Sequence, residues 1–192
     1  MLRLDKNTTL ALGTALALVA GPTLAQTASD WDLDGDGTLT RDEFTQSVGD
    51  AGVFANWDAN DDGMIDQDEL AGGAYDRYDA DMNAELAGSE FESAQTDFGP
   101  EGRWSAGADW TSDYAGWDVD ADGLLTRDEF RTGFADTPVL NDWDIDSDGM
   151  LNEEEFSGGV YGGYDPTGAG YIQEPGLAGV ETDMGDEGFW SS

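Results

Sequence analysis

Asp32, Asp34 and Asp36 stand at alternate positions, Gly37 follows at once, and Glu43 closes the frame at its twelfth residue. Carboxylates this close repel one another, so the stretch is stable only around a positive centre. That centre dictates the backbone. A tight turn points positions 1, 3 and 5 inward, and a glycine at position 6 takes the sharp bend. The carbonyl of position 7 (Thr38) faces the ion, and position 9 (Thr40) ligates directly or through water. Glu43 at position 12 opens a helix and returns a two-oxygen carboxylate. Leu39 at position 8 plays a separate part, since an apolar residue there forms a short β-bridge with a partner loop.

The frame recurs. Asp58, Asn60, Asp62, Met64, Asp66 and Glu69 occupy positions 1, 3, 5, 7, 9 and 12 of a second copy, with Gly63 at position 6. Asp118, Asp120, Asp122, Leu124, Thr126 and Glu129 form a third around Gly123. Asp144, Asp146, Asp148, Met150, Asn152 and Glu155 form a fourth around Gly149. Position 8 is Ile65, Leu125 and Leu151 in turn, and Trp31, Trp57, Trp117 and Trp143 each precede a position 1. On these residues most of the chain resembles the EF-hand calcium-binding family. Calcium is a hard cation taking six to eight oxygens at roughly 2.3–2.6 Å, which this donor set supplies. Two weaker copies complete the pattern. Asp79, Asp81, Asn83, Glu85 and Glu90 fit positions 1, 3, 5, 7 and 12, but Ala84 replaces the glycine, at a cost of about 1 kcal/mol or more. The copy starting at Asp165 continues Thr167, Ala169, Gly170 and reaches Gly176 at position 12, so it lacks its closing carboxylate and is read as a metal-free loop kept for structure.

Displacing the sequence by 86 residues superposes Trp31 on Trp117, Thr40–Phe44 on Thr126–Phe130, Gly72-Gly73 on Gly158-Gly159, and Tyr75 and Tyr78 on Tyr161 and Tyr164. The expected fold is therefore all-α: short-helix EF-hand motifs in two duplicated lobes of three motifs each, 26–107 and 113–192, joined by the small polar stretch Ser105–Ser112. The loops fall at 32–43, 58–69 and 79–90, then 118–129, 144–155 and 165–176. Their spacing predicts an exit helix to about Val48, a turn over Gly49–Gly52 and an entry segment Val53–Trp57. One segment between Glu69 and Asp79 must end one motif and begin the next, and Gly72-Gly73 is expected to weaken it. The four tryptophans, with Phe44 and Phe130, are expected in the core. Loops 32–43 and 58–69 are expected to pair, as are 118–129 and 144–155. The third motifs then pair with each other through Leu86 and Ile172, or cap their own lobes. Helices this short are marginal alone, so folding should be coupled to the ion and the ion-free state loosely folded.

The chain has 43 acidic and 7 basic residues, no histidine and no cysteine. Net charge −36 attracts cations and excludes nucleic acid and anionic membrane surfaces as partners. Arg3 and Lys6 before the apolar run Thr8–Ala20, with Thr23-Leu24-Ala25 as a cleavage site, predict a signal peptide over residues 1–25 and a periplasmic or secreted protein. Without histidine, cysteine or a lysine beyond Lys6, most general-base and nucleophile chemistry lacks its residues, and the chain is read as a non-enzyme. The functional expectation is calcium buffering, storage or calcium-dependent structure. Alternatives are a calcium-ordered interaction module and periplasmic lanthanide binding, since the layout is also similar to the lanmodulins. The proline of that family at loop position 2 is replaced by Leu33, Ala59, Val119 and Ile145, and Pro166 has it only in the degenerate loop.

Overall fold

The computed structural model describes residues 28–99, 102–104, 114–184 and 189–190. The expected signal peptide and the joint Ser105–Ser112 lie outside them. The first half runs α1 (Ala28–Trp31), β1 (Leu39–Thr40), α2 (Arg41–Asp50), α3 (Val53–Trp57), α4 (Gln67–Tyr78), β2 (Glu85–Leu86) and α5 (Gly88–Phe98). The second runs α6 (Tyr114–Trp117), β3 (Leu125–Thr126), α7 (Arg127–Ala135), α8 (Val139–Trp143), α9 (Glu153–Tyr164), β4 (Tyr171–Ile172) and α10 (Gly176–Met184). Among the described residues the architecture is helical, and its strands are two-residue pieces. No described helix is long and apolar enough to cross a membrane.

The helix starts follow from the loop frame. Position 9 is the N-cap of the exit helix and position 12 its third residue. The pairs Thr40/Glu43, Asp66/Glu69, Thr126/Glu129 and Asn152/Glu155 each form a reciprocal capping box. The closing glutamate therefore satisfies backbone N–H groups at the helix start as well as facing the loop. Each helix then buries one stripe: α2 buries Phe44, Ser47 and Val48, and α7 buries Phe130, Gly133 and Phe134. Between loops 32–43 and 58–69 the entry segment Val53–Trp57 forms as the spacing predicts, while the exit helix runs past Val48 to Asp50 and shortens the turn to Ala51 and Gly52. α4 serves both its motifs as one continuous helix.

The loop pairing differs from expectation. β1 pairs antiparallel with β4 (Leu39 opposite Ile172), and β2 pairs with β3 (Leu86 opposite Leu125). Ile65 and Leu151 exchange two backbone hydrogen bonds of 2.8 and 2.9 Å. Every position-8 bridge thus joins one half to the other. Neither the pairing of loops 32–43 with 58–69, nor that of 118–129 with 144–155, nor a Leu86–Ile172 bridge forms. The physical reason is parity. Three loops in a half cannot all pair among themselves, and an odd loop would leave buried backbone groups without partners. Loops 58–69 and 79–90 also sit at opposite ends of α4, whose 12 residues span about 18 Å. Pairing across the halves satisfies all six loops. The helices follow, with α2 packed on α9 and α4 on α7.

The four loop-preceding tryptophans are 2–5% exposed, Phe44 and Phe130 are fully buried, and one apolar cluster draws on both halves. Gly72-Gly73 does not break α4. A Cβ on Gly73 would fall into the Trp57 ring, and one on Gly72 would stand 3.0 Å from the Arg127 guanidinium. Gly159 and Gly158 meet Trp143 and Arg41 in the same way. These glycines admit bulky neighbours, and the packing outweighs their poor helix propensity.

Candidate metal centres

Each loop is drawn around its own side chains. Oδ2 of position 1 accepts from the position-6 N–H: Gly37 to Asp32 at 2.8 Å, Gly63 to Asp58 at 2.8 Å, Gly123 to Asp118 at 3.0 Å and Gly149 to Asp144 at 2.8 Å. The position-5 carboxylates accept from position 7: Thr38 N–H to Asp36 at 2.8 Å, Met64 to Asp62 at 3.0 Å, Leu124 to Asp122 at 2.9 Å and Met150 to Asp148 at 2.9 Å. The closing glutamate reaches back over the loop. Glu43, Glu69, Glu129 and Glu155 accept from the backbone of Leu33, Asn60, Val119 and Ile145 at 2.8–3.0 Å.

This folding brings like charges together. Among the described residues, carboxylate oxygens lie within 4.8 Å of one another in four groups: Asp32, Asp34, Asp36; Asp79, Asp81, Glu90; Asp118, Asp120, Glu129; and Asp144, Asp146, Glu155. Loop 58–69 shares the hydrogen-bond frame, but an amide oxygen replaces a carboxylate at Asn60, which leaves fewer acidic groups to converge. In loop 32–43 it is the three aspartates that converge. Glu43 is held by Thr40, whose hydroxyl and N–H donate to it at 2.7 and 2.9 Å.

The charges respond accordingly. Hydrogen bonds from the Thr40 hydroxyl and backbone hold Glu43 below the usual carboxylate range, and those from the Thr126 backbone and hydroxyl do the same for Glu129. A bond from Asp36 lowers Asp34, but desolvation and the charges of Asp36, Glu43 and Asp32 outweigh it and push Asp34 up. Desolvation, then Asp148, Glu155 and Asp144, push Asp146 up. A cation at the centre relieves this repulsion. The donors are all oxygen, the set that suits a hard ion such as calcium and gives softer metals no nitrogen or sulfur.

The weaker loop 79–90 adopts the same shape. Ala84 takes the left-handed turn at φ 66°, its N–H donates to Asp79 at 2.9 Å, and Glu90 accepts from Ala80 at 3.0 Å. Asn83 accepts from Glu85 N–H at 2.8 Å. Loop 165–176 keeps the turn without a carboxylate cluster. Asp165 accepts from Gly170, Ala169 and Thr167, and these bonds outweigh its burial to hold it below the ordinary range. Sequence reasoning missed position 4, which is left-handed in all six loops: Gly35, Asp61, Met82, Ala121, Ser147 and Gly168. Four of these are not glycine, so residue type carried no signal.

Four loops, each closed by a capping-box glutamate and lined with oxygen donors, define a helix-loop-helix arrangement suited to hard cations. Residues 31–48 and 50–72, enclosing the first two loops, match the EF hand family model, which supports an EF-hand family of the calcium-binding type. No curated protein and no solved structure matches the chain.

Proposed function

We propose that this is an exported calcium-binding protein, periplasmic or secreted, with two duplicated lobes of three motifs. Its role is calcium buffering, storage or calcium-dependent structure. The carrying observation is the convergence of carboxylates in loops 118–129 and 144–155, where positions 1, 3 and 12 meet within 4.8 Å. Metal sites fall in loops 32–43, 58–69, 118–129 and 144–155, with a weaker one at 79–90. The assigned ligands are those named at positions 1, 3, 5, 7, 9 and 12. Binding rather than catalysis fits a chain whose clustered carboxylates are committed to its loops. External calcium is abundant, so affinities of roughly 10⁻⁴ to 10⁻³ M suffice.

The test is calorimetric titration of chelator-stripped protein with calcium and then lanthanum, with far-UV circular dichroism at each end point. Four or five calcium sites with helix gained on calcium is the expected result. Helix gained on lanthanum alone would replace this reading with a lanthanide-binding one, and heat from neither ion would end both.

A further inference from the structure

The seam between the halves is built twice, once in each direction. Arg127, at loop position 10, reaches from α7 to α4, where its guanidinium stands 5.1 Å from the Tyr75 ring centre and pairs with Asp76. Arg41, at the same loop position, reaches from α2 to α9, where it lies against Gly158 and its charge acts on Tyr161. Phe44 meets Tyr161 edge-on at 5.5 Å and 70°, and Phe130 meets Tyr75 at 5.7 Å and 67°. β1 with β4 repeats β3 with β2, and Ile65 with Leu151 is the self-paired bridge.

Each half therefore carries both the arginine knob and the glycine-tyrosine socket. A surface that holds both members of its own contact is self-complementary, as in a two-fold dimer. The geometry assigns each half a binding face whose fitting partner is a second copy of the same half; this chain supplies a near-copy in covalent form. The substitutions between the halves keep the fit. In a pair of first halves, Leu39 would face Leu86, Ile65 would face Ile65, and Arg41 would meet Asp76, whose counterpart at 162 is glycine. In a pair of second halves, Leu125 would face Ile172, and Arg131, now 3.1 Å from Asp68, would meet Glu154. Each bridge has at least one partner inside a candidate metal loop, Ile172 alone lying in the metal-free loop 165–176, so loss of cation opens the seam. That trigger, unlike the face itself, rests on the calcium reading.

The experiment inserts a protease site between Ser105 and Ser112 of the full chain, folds it with calcium and cuts it. The halves are then separated with chelator, or with urea if chelator leaves them joined, and the starting buffer is restored. Native mass spectrometry reads the products. First-half and second-half homodimers should appear beside the mixed pair, each within about tenfold of it, a difference of about 1.4 kcal/mol. The uncut chain, opened and closed at rising protein concentration, should yield dimers by sedimentation. Return of the mixed pair alone, with an uncut chain that stays monomeric, would overturn the self-complementary face. Calorimetry separates the two readings. A chain that binds no calcium but forms homodimers after urea loses the calcium function and keeps the face. One that binds calcium yet forms only mixed pairs loses the face alone.

Discussion

Tyr161 and Tyr164 share α9 and bury their hydroxyls in opposite circumstances. Tyr164 donates to Asp183 at 2.8 Å, whereas the Tyr161 hydroxyl is buried with no partner among the described residues. A buried polar group without a partner costs free energy, and a satisfied one contributes about 1 kcal/mol. Tyr161→Phe should leave stability unchanged or raise it by up to about 1 kcal/mol, and Tyr164→Phe should lower it by about 1 kcal/mol, both read from urea unfolding in calcium. Desolvation also pushes Tyr161 up to about 12. A phenol raised in the folded state gives stability that is complete below its ordinary value, near 10, and is lost as pH climbs toward 12. Tyr161→Phe should therefore flatten the alkaline limb of the stability profile in that window. Ala84 is a similar single-atom matter. Its left-handed turn was legible as strain because the sequence departs there from glycine, and Ala84→Gly should add about 0.5–1 kcal/mol and tighten calcium binding at loop 79–90. The left-handed position 4 was not legible, because the twelve-residue frame enforces it on aspartate, methionine, alanine and serine alike.

At the scale of the element, helix starts were readable because one residue does two jobs. The carboxylate that closes the loop is also the third residue of its capping box, so the loop spacing fixes where α2, α4, α7 and α9 begin. Helix interiors were less readable. Gly72-Gly73 and Gly158-Gly159 look like breaks, yet they clear space for rings and guanidinium groups that are remote in sequence. α9 offers a paired test of this explanation. A Cβ on Gly159 would enter the Trp143 ring, while one on Gly162 meets nothing within 4 Å. Gly159→Ala should destabilise by about 1–3 kcal/mol through overpacking, despite alanine's better propensity. Gly162→Ala should stabilise by up to about 1 kcal/mol, because propensity acts there alone. Equal effects of the two substitutions on urea midpoints would show that packing against Trp143 does not govern this glycine.

Across the whole molecule, the repeat revealed how many loops there are and concealed which ones meet. An odd number of motifs in each half says only that something must pair outside its own neighbour, and the choice depends on helix faces that no local pattern encodes. The charge explains why the choice matters. At net −36, the halves repel each other as well as themselves, and Arg103, Arg127 and Arg131 are placed to cross the seam onto Asp183, Asp76 and Asp68. Exposed pairs of this kind each contribute little, so they do not hold the halves against that repulsion alone. On the proposed calcium reading, cations would do so by neutralising the loops that bridge the halves, each site adding about 2.7 kcal/mol at a hundredfold excess over its dissociation constant. Calcium and simple salt should then act on different states. Raising sodium chloride from about 0.01 M to 1 M shortens the screening length from about 30 Å to about 3 Å, which should raise the melting temperature of the calcium-free protein steeply. The calcium-loaded protein, already neutralised at its loops, should respond much less. Equal salt responses in thermal scans with calcium and with chelator would mean that loop repulsion is not what the ion relieves.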